Sequence, residues 1–154
     1  MDKILILAGG YSNEREISLI TARSVTRELK KNKKYKLLTI EPNGHFVEKL
    51  RKFKPKLVLN LLHGRYGEDG YIQSILESER IKYTHSGVLS SSLAIDKEIS
   101  KKIFIKNKIL TPSYFKFTFK KKTNYKNIIK KIEKKLKFPV VLKPINEGSS
   151  VGVY

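Results

Sequence analysis

The chain contains no cysteine. That excludes disulfide frameworks, thiolate zinc sites and cysteine nucleophiles. Acid is scarce: 14 Asp and Glu stand against 33 Lys and Arg, a formal charge of +19 over 154 residues. Between residues 97 and 143 there are 16 lysines and only two acids, Glu98 and Glu133. Arginine is scarce as well, 6 against 27 lysines. Nucleic-acid readers often use arginine for bidentate base contacts and aromatics for stacking. Lysines interleaved with helical apolar spacing read instead as a solvated basic face, with a weak anion or nucleic-acid footprint as the other reading. Long apolar runs are missing too. Ile4 to Ala8 is too short for a signal-peptide core or a membrane span, so a cytoplasmic protein is expected.

What remains is enough for a core. The chain is 40% hydrophobic, with 17 isoleucines. Its length fits one domain, or one small domain and part of another. Strand-like apolar runs at 3–8, 35–41 and 56–62 alternate with helical patterns over 14–31, 46–53 and 71–78. A short strand at 81–84 and a helix over 88–94 complete the series. Asn13 followed by Glu16 resembles a capping box at the first helix start. Nearly continuous apolar strands alternating with helices predict an α/β fold with a parallel, Rossmann-like sheet. Ligands in such folds sit beyond the carboxyl ends of the strands. The loops Gly9–Glu14 and His63–Gly70 are therefore expected to share a crevice. The character changes near residue 95. A basic helix over 97–108, a strand over 113–119, a helix over 124–137, a strand over 138–143 and a beginning strand over 151–154 are expected there, and the 124–137 helix has an apolar side at risk of poor cover.

Three stretches carry chemistry. His63-Gly64-Arg65-Tyr66-Gly67-Glu68-Asp69-Gly70 combines imidazole, guanidinium and two carboxylates on a glycine-rich loop able to approach a ligand closely. Its two acids could equally cap the next helix. Gly9-Gly10-Tyr11-Ser12-Asn13-Glu14-Arg15-Glu16 sets an acid at a helix start, where the dipole alone would favour it. It is not a GxGxxG fingerprint, which argues against an ordinary dinucleotide site. Lys143-Pro144-Ile145-Asn146-Glu147-Gly148-Ser149-Ser150 delivers a lysine at a strand end, ahead of a Gly/Ser loop suited to phosphate oxygens. The lysine precedes the glycines, so this is not a Walker A loop.

Taken in order, together with Ser-Gly-Val and Asp96-Lys97, these motifs resemble the N-terminal half of D-alanine–D-alanine ligases, members of the ATP-grasp superfamily. The resemblance runs along essentially all of the chain. It implies a pre-ATP-grasp substrate-binding domain over 1–94 and the incomplete start of an ATP-grasp domain over 95–154. It implies that Glu14 binds the ammonium of a first D-alanine, that His63 lies beside its carboxyl group, and that Ser149 hydrogen-bonds Glu14. Lys97 and Lys143 match lysines that contact ATP phosphates, and Ser150 falls in the same ATP loop. The implied reaction is ATP-dependent ligation through an acyl phosphate, for peptidoglycan, with D-alanine and ATP as substrates. The Mg²⁺ ligands, the adenine site and a tyrosine-bearing loop lie in family sequence beyond residue 154. The full-length enzymes are usually homodimers. The 154 residues are accordingly expected to be a ligase fragment, inactive alone, with neither nucleic acid nor membrane as partner. The alternatives are a basic nucleic-acid-binding module and a non-catalytic Rossmann-like module.

Overall fold

The computed structural model describes residues 1–154. Three short strands are central: β1 (Asp2–Leu7), β2 (Tyr35–Ile40) and β3 (Leu57–Asn60). They form a parallel sheet in the order β2-β1-β3, with Ile4 opposite both Leu37 and Leu57. The middle strand is apolar because both of its faces are covered. One face meets α2 (Phe46–Phe53) and α3 (Tyr71–Ser78), where Leu5, Leu7, Phe46, Leu50, Val58, Leu62, Ile72 and Leu76 form the main core. The opposite face meets α1 (Arg15–Lys30) through Ile6, Ala8 and Ala22. Toward the sheet α1 buries Ser18 and Ala22, with Leu19 and Leu29 packed beside them, while Ile17 and Ile20 point to solvent.

Downstream come α4 (Val88–Ala94), α5 (Lys97–Lys106) and α6 (Tyr125–Leu136). Asp96 caps α5 by accepting the N–H groups of Glu98 and Ile99, and Asn124 caps α6 through Asn127. Side-chain oxygens at these positions satisfy otherwise orphaned first-turn donors. The helices match the sequence reading in type and place. Four expected strands do not form. Residues 81–84 contribute a single parallel bridge, Val58 to Tyr83. Residues 113–119 and 138–143 are irregular, and 151–154 meets its neighbour at one rung, Leu142 with Tyr154. A strand exists only with a ladder partner, and these segments find one contact or none. The capping box is absent as well: the Asn13 amide reaches Glu147 instead, and the N–H of Glu14 is taken by the Ser12 hydroxyl. No helix is long and apolar enough to cross a membrane.

All 22 buried residues lie between Ile4 and Ser91. Beyond them, α6 leans over an open trough of about 230 Å³ lined by apolar side chains, among them Phe117, Ile128, Ile132 and Leu142.

Candidate functional site

Three loops converge beyond the carboxyl ends of β1 and β3. The first leaves β1 through Gly9 and Gly10, both at positive φ. Its backbone is fixed from two sides. The Gly9 N–H donates to the Ser18 hydroxyl at 2.8 Å. The Gly10 N–H faces Glu41 at the end of β2, whose carboxylate also receives the Arg15 guanidinium at 2.6 and 3.2 Å. That pairing raises the affinity of Arg15 for its proton. A Cβ on Gly9 would stand 2.5 Å from Glu41 Oε2, so the close approach requires glycine. This tight turn places Glu14 at the start of α1 with its side chain directed inward.

Glu14 is only 1% exposed. Its carboxylate lies between the other two loops. Gly64 approaches so closely that a Cβ there would stand 2.5 Å from Glu14 Oε1. From the far end of the chain, the Gly148 N–H donates to the same oxygen at 3.1 Å. No lysine, arginine or histidine forms an ion pair with Glu14. A buried carboxylate without a cation carries a desolvation cost of several kcal/mol, and a cationic ligand offsets it.

His63 is half-buried on the second loop. Its Nδ1 lies 3.0 Å from the Leu61 carbonyl, which can only accept, so Nδ1 carries the proton and Nε2 is left for a ligand. The remaining loop polar groups hold its shape. Asn60 and Gln73 both donate to the Gly67 carbonyl at 2.8 Å. Glu68 accepts the Gly64 N–H, while Asp69 accepts from Tyr66 and from Tyr71 at the start of α3. The two acids thus brace the loop and the following helix, and neither pairs with a cation.

The third loop spans 143–150. Lys97, at the start of α5, donates its ammonium to the carbonyls of Ile145 and Glu147 and so ties α5 to this loop. Lys143 has no partner and is exposed. Ser149 and Ser150 are exposed at positive φ, and neither side chain is hydrogen-bonded. The contact with Glu14 is therefore made by the Gly148 backbone, one residue before Ser149. Of the residues singled out from sequence, Glu14 and His63 come together on adjacent loops. Ser149, Ser150 and Lys143 lie on the third loop, which meets Glu14 through Gly148, and Lys97 braces that loop through the Ile145 and Glu147 carbonyls. Sequence reasoning gave the backbone amides and hydroxyls of Gly148, Ser149 and Ser150 a role toward phosphates or a side chain, and did not single out Ser12, Ser18 or Asn60. Ser12 lay inside a quoted motif, and nothing in its spelling showed that a hydroxyl there bridges two loops.

The family model described as D-ala D-ala ligase C-terminus matches residues 103–154. A D-alanine–D-alanine ligase of Pelagibacter ubique is 64% identical over 99% of this chain and 49% of its own length. One from Wolbachia pipientis wMel is 47% identical over 98% of the chain and 45% of its own length. Among solved structures, the D-alanine–D-alanine ligase of Bacillus anthracis superposes with a TM-score of 0.77 at 38% identity, covering 100% of this chain and 49% of that one. The same enzyme complexed with ATP gives 0.77 at 35% identity, over 99% of this chain and 50% of that one. The chain spans about half the length of the relatives it matches. In sequence and in fold, the chain is similar to the N-terminal half of the D-alanine–D-alanine ligases.

Proposed function

We propose that residues 1–94 form the first-amino-acid site of an ATP-dependent D-alanine–D-alanine ligase, and that residues 95–154 bring the first phosphate-facing elements to it. One observation carries this reading: Glu14 is a buried carboxylate with no cation of its own, cradled by two glycines. A small zwitterion supplies what it lacks. Its ammonium pairs with Glu14, and its carboxylate sits toward the free Nε2 of His63. Gly64 and Gly148 leave room for close approach, and the Gly148 N–H orients the carboxylate. Fixing a small molecule at both ends addresses the entropic part of a two-substrate reaction.

In the ligase reaction, the carboxylate of one D-alanine attacks the γ-phosphorus of ATP, giving an acyl phosphate and ADP. The amine of a second D-alanine attacks the acyl carbon, loses a proton, and the tetrahedral species expels phosphate to leave the dipeptide. Negative charge builds in both steps, and fixed donors stabilise it. Lys143 and the Ser150 hydroxyl have no partners and suit phosphate oxygens. Lys97 is held by two carbonyls, so reaching a phosphate requires it to release at least one. For Mg²⁺ the fit fails: no three His, Asp or Glu side chains gather into a group able to hold a metal, and no step here is assigned to these residues through it. The place of action in this reading is the cytoplasm, the product feeds peptidoglycan, and the working enzyme is a homodimer. The 154 residues alone bind rather than ligate, and dipeptide formed by the purified chain with ATP, Mg²⁺ and D-alanine would overturn that division of labour.

The test is thermal denaturation of the chain with millimolar D-alanine or L-alanine. D-alanine is expected to raise the midpoint, as any ligand of the folded state does. Glu14→Gln should abolish the rise while leaving the unliganded midpoint within a few degrees. A rise that persists in Glu14→Gln removes the assignment. A basic-surface reading rests on Lys120 to Lys137, where nine lysines accompany one acid, Glu133. It predicts DNA binding that falls steeply with salt and survives His63→Ala.

A further inference from the structure

Two serine hydroxyls stitch the first loop to the second. Ser12 accepts the Glu14 N–H at 3.1 Å and donates to the His63 carbonyl at 2.6 Å. Ser18 accepts the Gly9 N–H at 2.8 Å and donates to the Leu61 carbonyl at 2.6 Å. A hydroxyl is both donor and acceptor, and each serine uses both capacities across the gap between loops. The two stitches meet at His63. One holds its carbonyl, and the other shares the Leu61 carbonyl that receives its ring.

We infer that Ser12 is a positioning residue that sets the spacing between Glu14 and His63, and through Glu14 the seat of Gly148. The inference rests on the proposed D-alanine site for its functional meaning, and on geometry alone for the coupling. Ser12 is the one side chain hydrogen-bonded to the backbones of both Glu14 and His63. It precedes α1, so its loss leaves the helix itself intact. Its two partners carry the side chains that would take opposite ends of a zwitterion. Without the hydroxyl, the Glu14 N–H and the His63 carbonyl turn to water, and the two loops separate by their own thermal motion. Gly148 then loses a fixed acceptor. Ser18 differs, since it is fully buried. Removing its hydroxyl orphans the Gly9 N–H and weakens the fold as a whole.

The experiment compares the chain with Ser12→Ala, Ser12→Thr and Ser18→Ala. Amide hydrogen exchange is read by NMR at Gly148, with Leu5 and Ile6 as reporters of global opening. In Ser12→Ala, Gly148 exchange is expected to accelerate about 10-fold, the effect of losing one to two net hydrogen bonds, while Leu5 and Ile6 are unchanged. Ser12→Thr, which keeps the hydroxyl, is expected to restore the slow rate. In Ser18→Ala, all three amides accelerate together. D-alanine affinity should weaken by a similar factor in Ser12→Ala and recover in Ser12→Thr. Gly148 exchange that is unchanged in Ser12→Ala, or equally fast in Ser12→Thr, overturns the inference. Absence of any D-alanine response in the unmodified chain sinks the proposed substrate instead, and the exchange comparison still decides the coupling.

Discussion

Residues 1–94 contain every buried residue of the protein, and residues 95–154 contain none. Composition does not explain this. Of the 60 residues from 95 to 154, 24 are apolar, the same 40% as in the whole chain. The difference is one of partners. Before residue 94, each strand has a neighbour to pair with, and helices cover both faces of the sheet. After it, α6 presents Ile128, Ile132 and Leu136 to segments that form no ladder, and Leu110 is 99% exposed. Apolar content creates a demand for burial, but only layered, hydrogen-bonded backbone meets it.

The comparison is most sharply broken by paired truncations. Leu5→Ala removes a fully buried side chain from the central strand and should cost about 3 kcal/mol or more in denaturant unfolding. Ile132→Ala, on the half-buried face of α6, should cost about 1 kcal/mol or less. Equal losses would show that the two regions unfold as one body. A second test is lysine-directed proteolysis under native conditions. Cleavage should begin between Lys101 and Lys137, in exposed backbone, and reach Lys36 or Lys56 only later. First cuts within the sheet would reverse the expected ranking.

The smallest effect is acid sensitivity, and here each region has a marker. The Arg51 guanidinium holds the Glu79 carboxyl below its usual range, and Lys102 with Lys116 does the same for Glu98. A depressed carboxyl stabilises the fold above its unfolded value, about 4.3, and that contribution fades as pH falls through the lower folded value. Arg51→Ala should therefore flatten the acid limb of stability for the sheet unit. Lys102→Ala should do so only for the α5 region, read at the α5 amides. An identical acid limb with and without Arg51 would dismiss the pair as a surface coincidence.

Much of this architecture is legible in the sequence where local and long-range signals agree. KILILA and KLVLNLL read as buried strands because both faces are apolar, and they are. SYFKFTF also alternates like a strand, but alternation states a preference and cannot supply a neighbour to pair with. The same limit operates at the crevice. Motif order brings three loops together on paper, and the structure joins them through Gly64, Ser12 and Gly148. The resemblance implied the Ser149 side chain for Glu14, whereas the hydrogen bond comes from the backbone N–H of Gly148, one residue before it. The Asn13–Glu16 pattern failed for a related reason. The N-cap position falls at Glu14, one residue later, while the Asn13 amide donates to Glu147 and the Glu16 carboxylate takes Arg15.

The hydrogen bond from Gly148 to Glu14 spans 134 positions of the chain. Contacts so distant in sequence form late, after nearer ones have reduced the entropy of closing the loop. On the ribosome, where the N-terminus emerges first, the sheet and its two glycine turns can assemble while the 143–150 loop is still unmade. The cradle around Glu14 thus stands for a time open on one side, and its third wall arrives after the core.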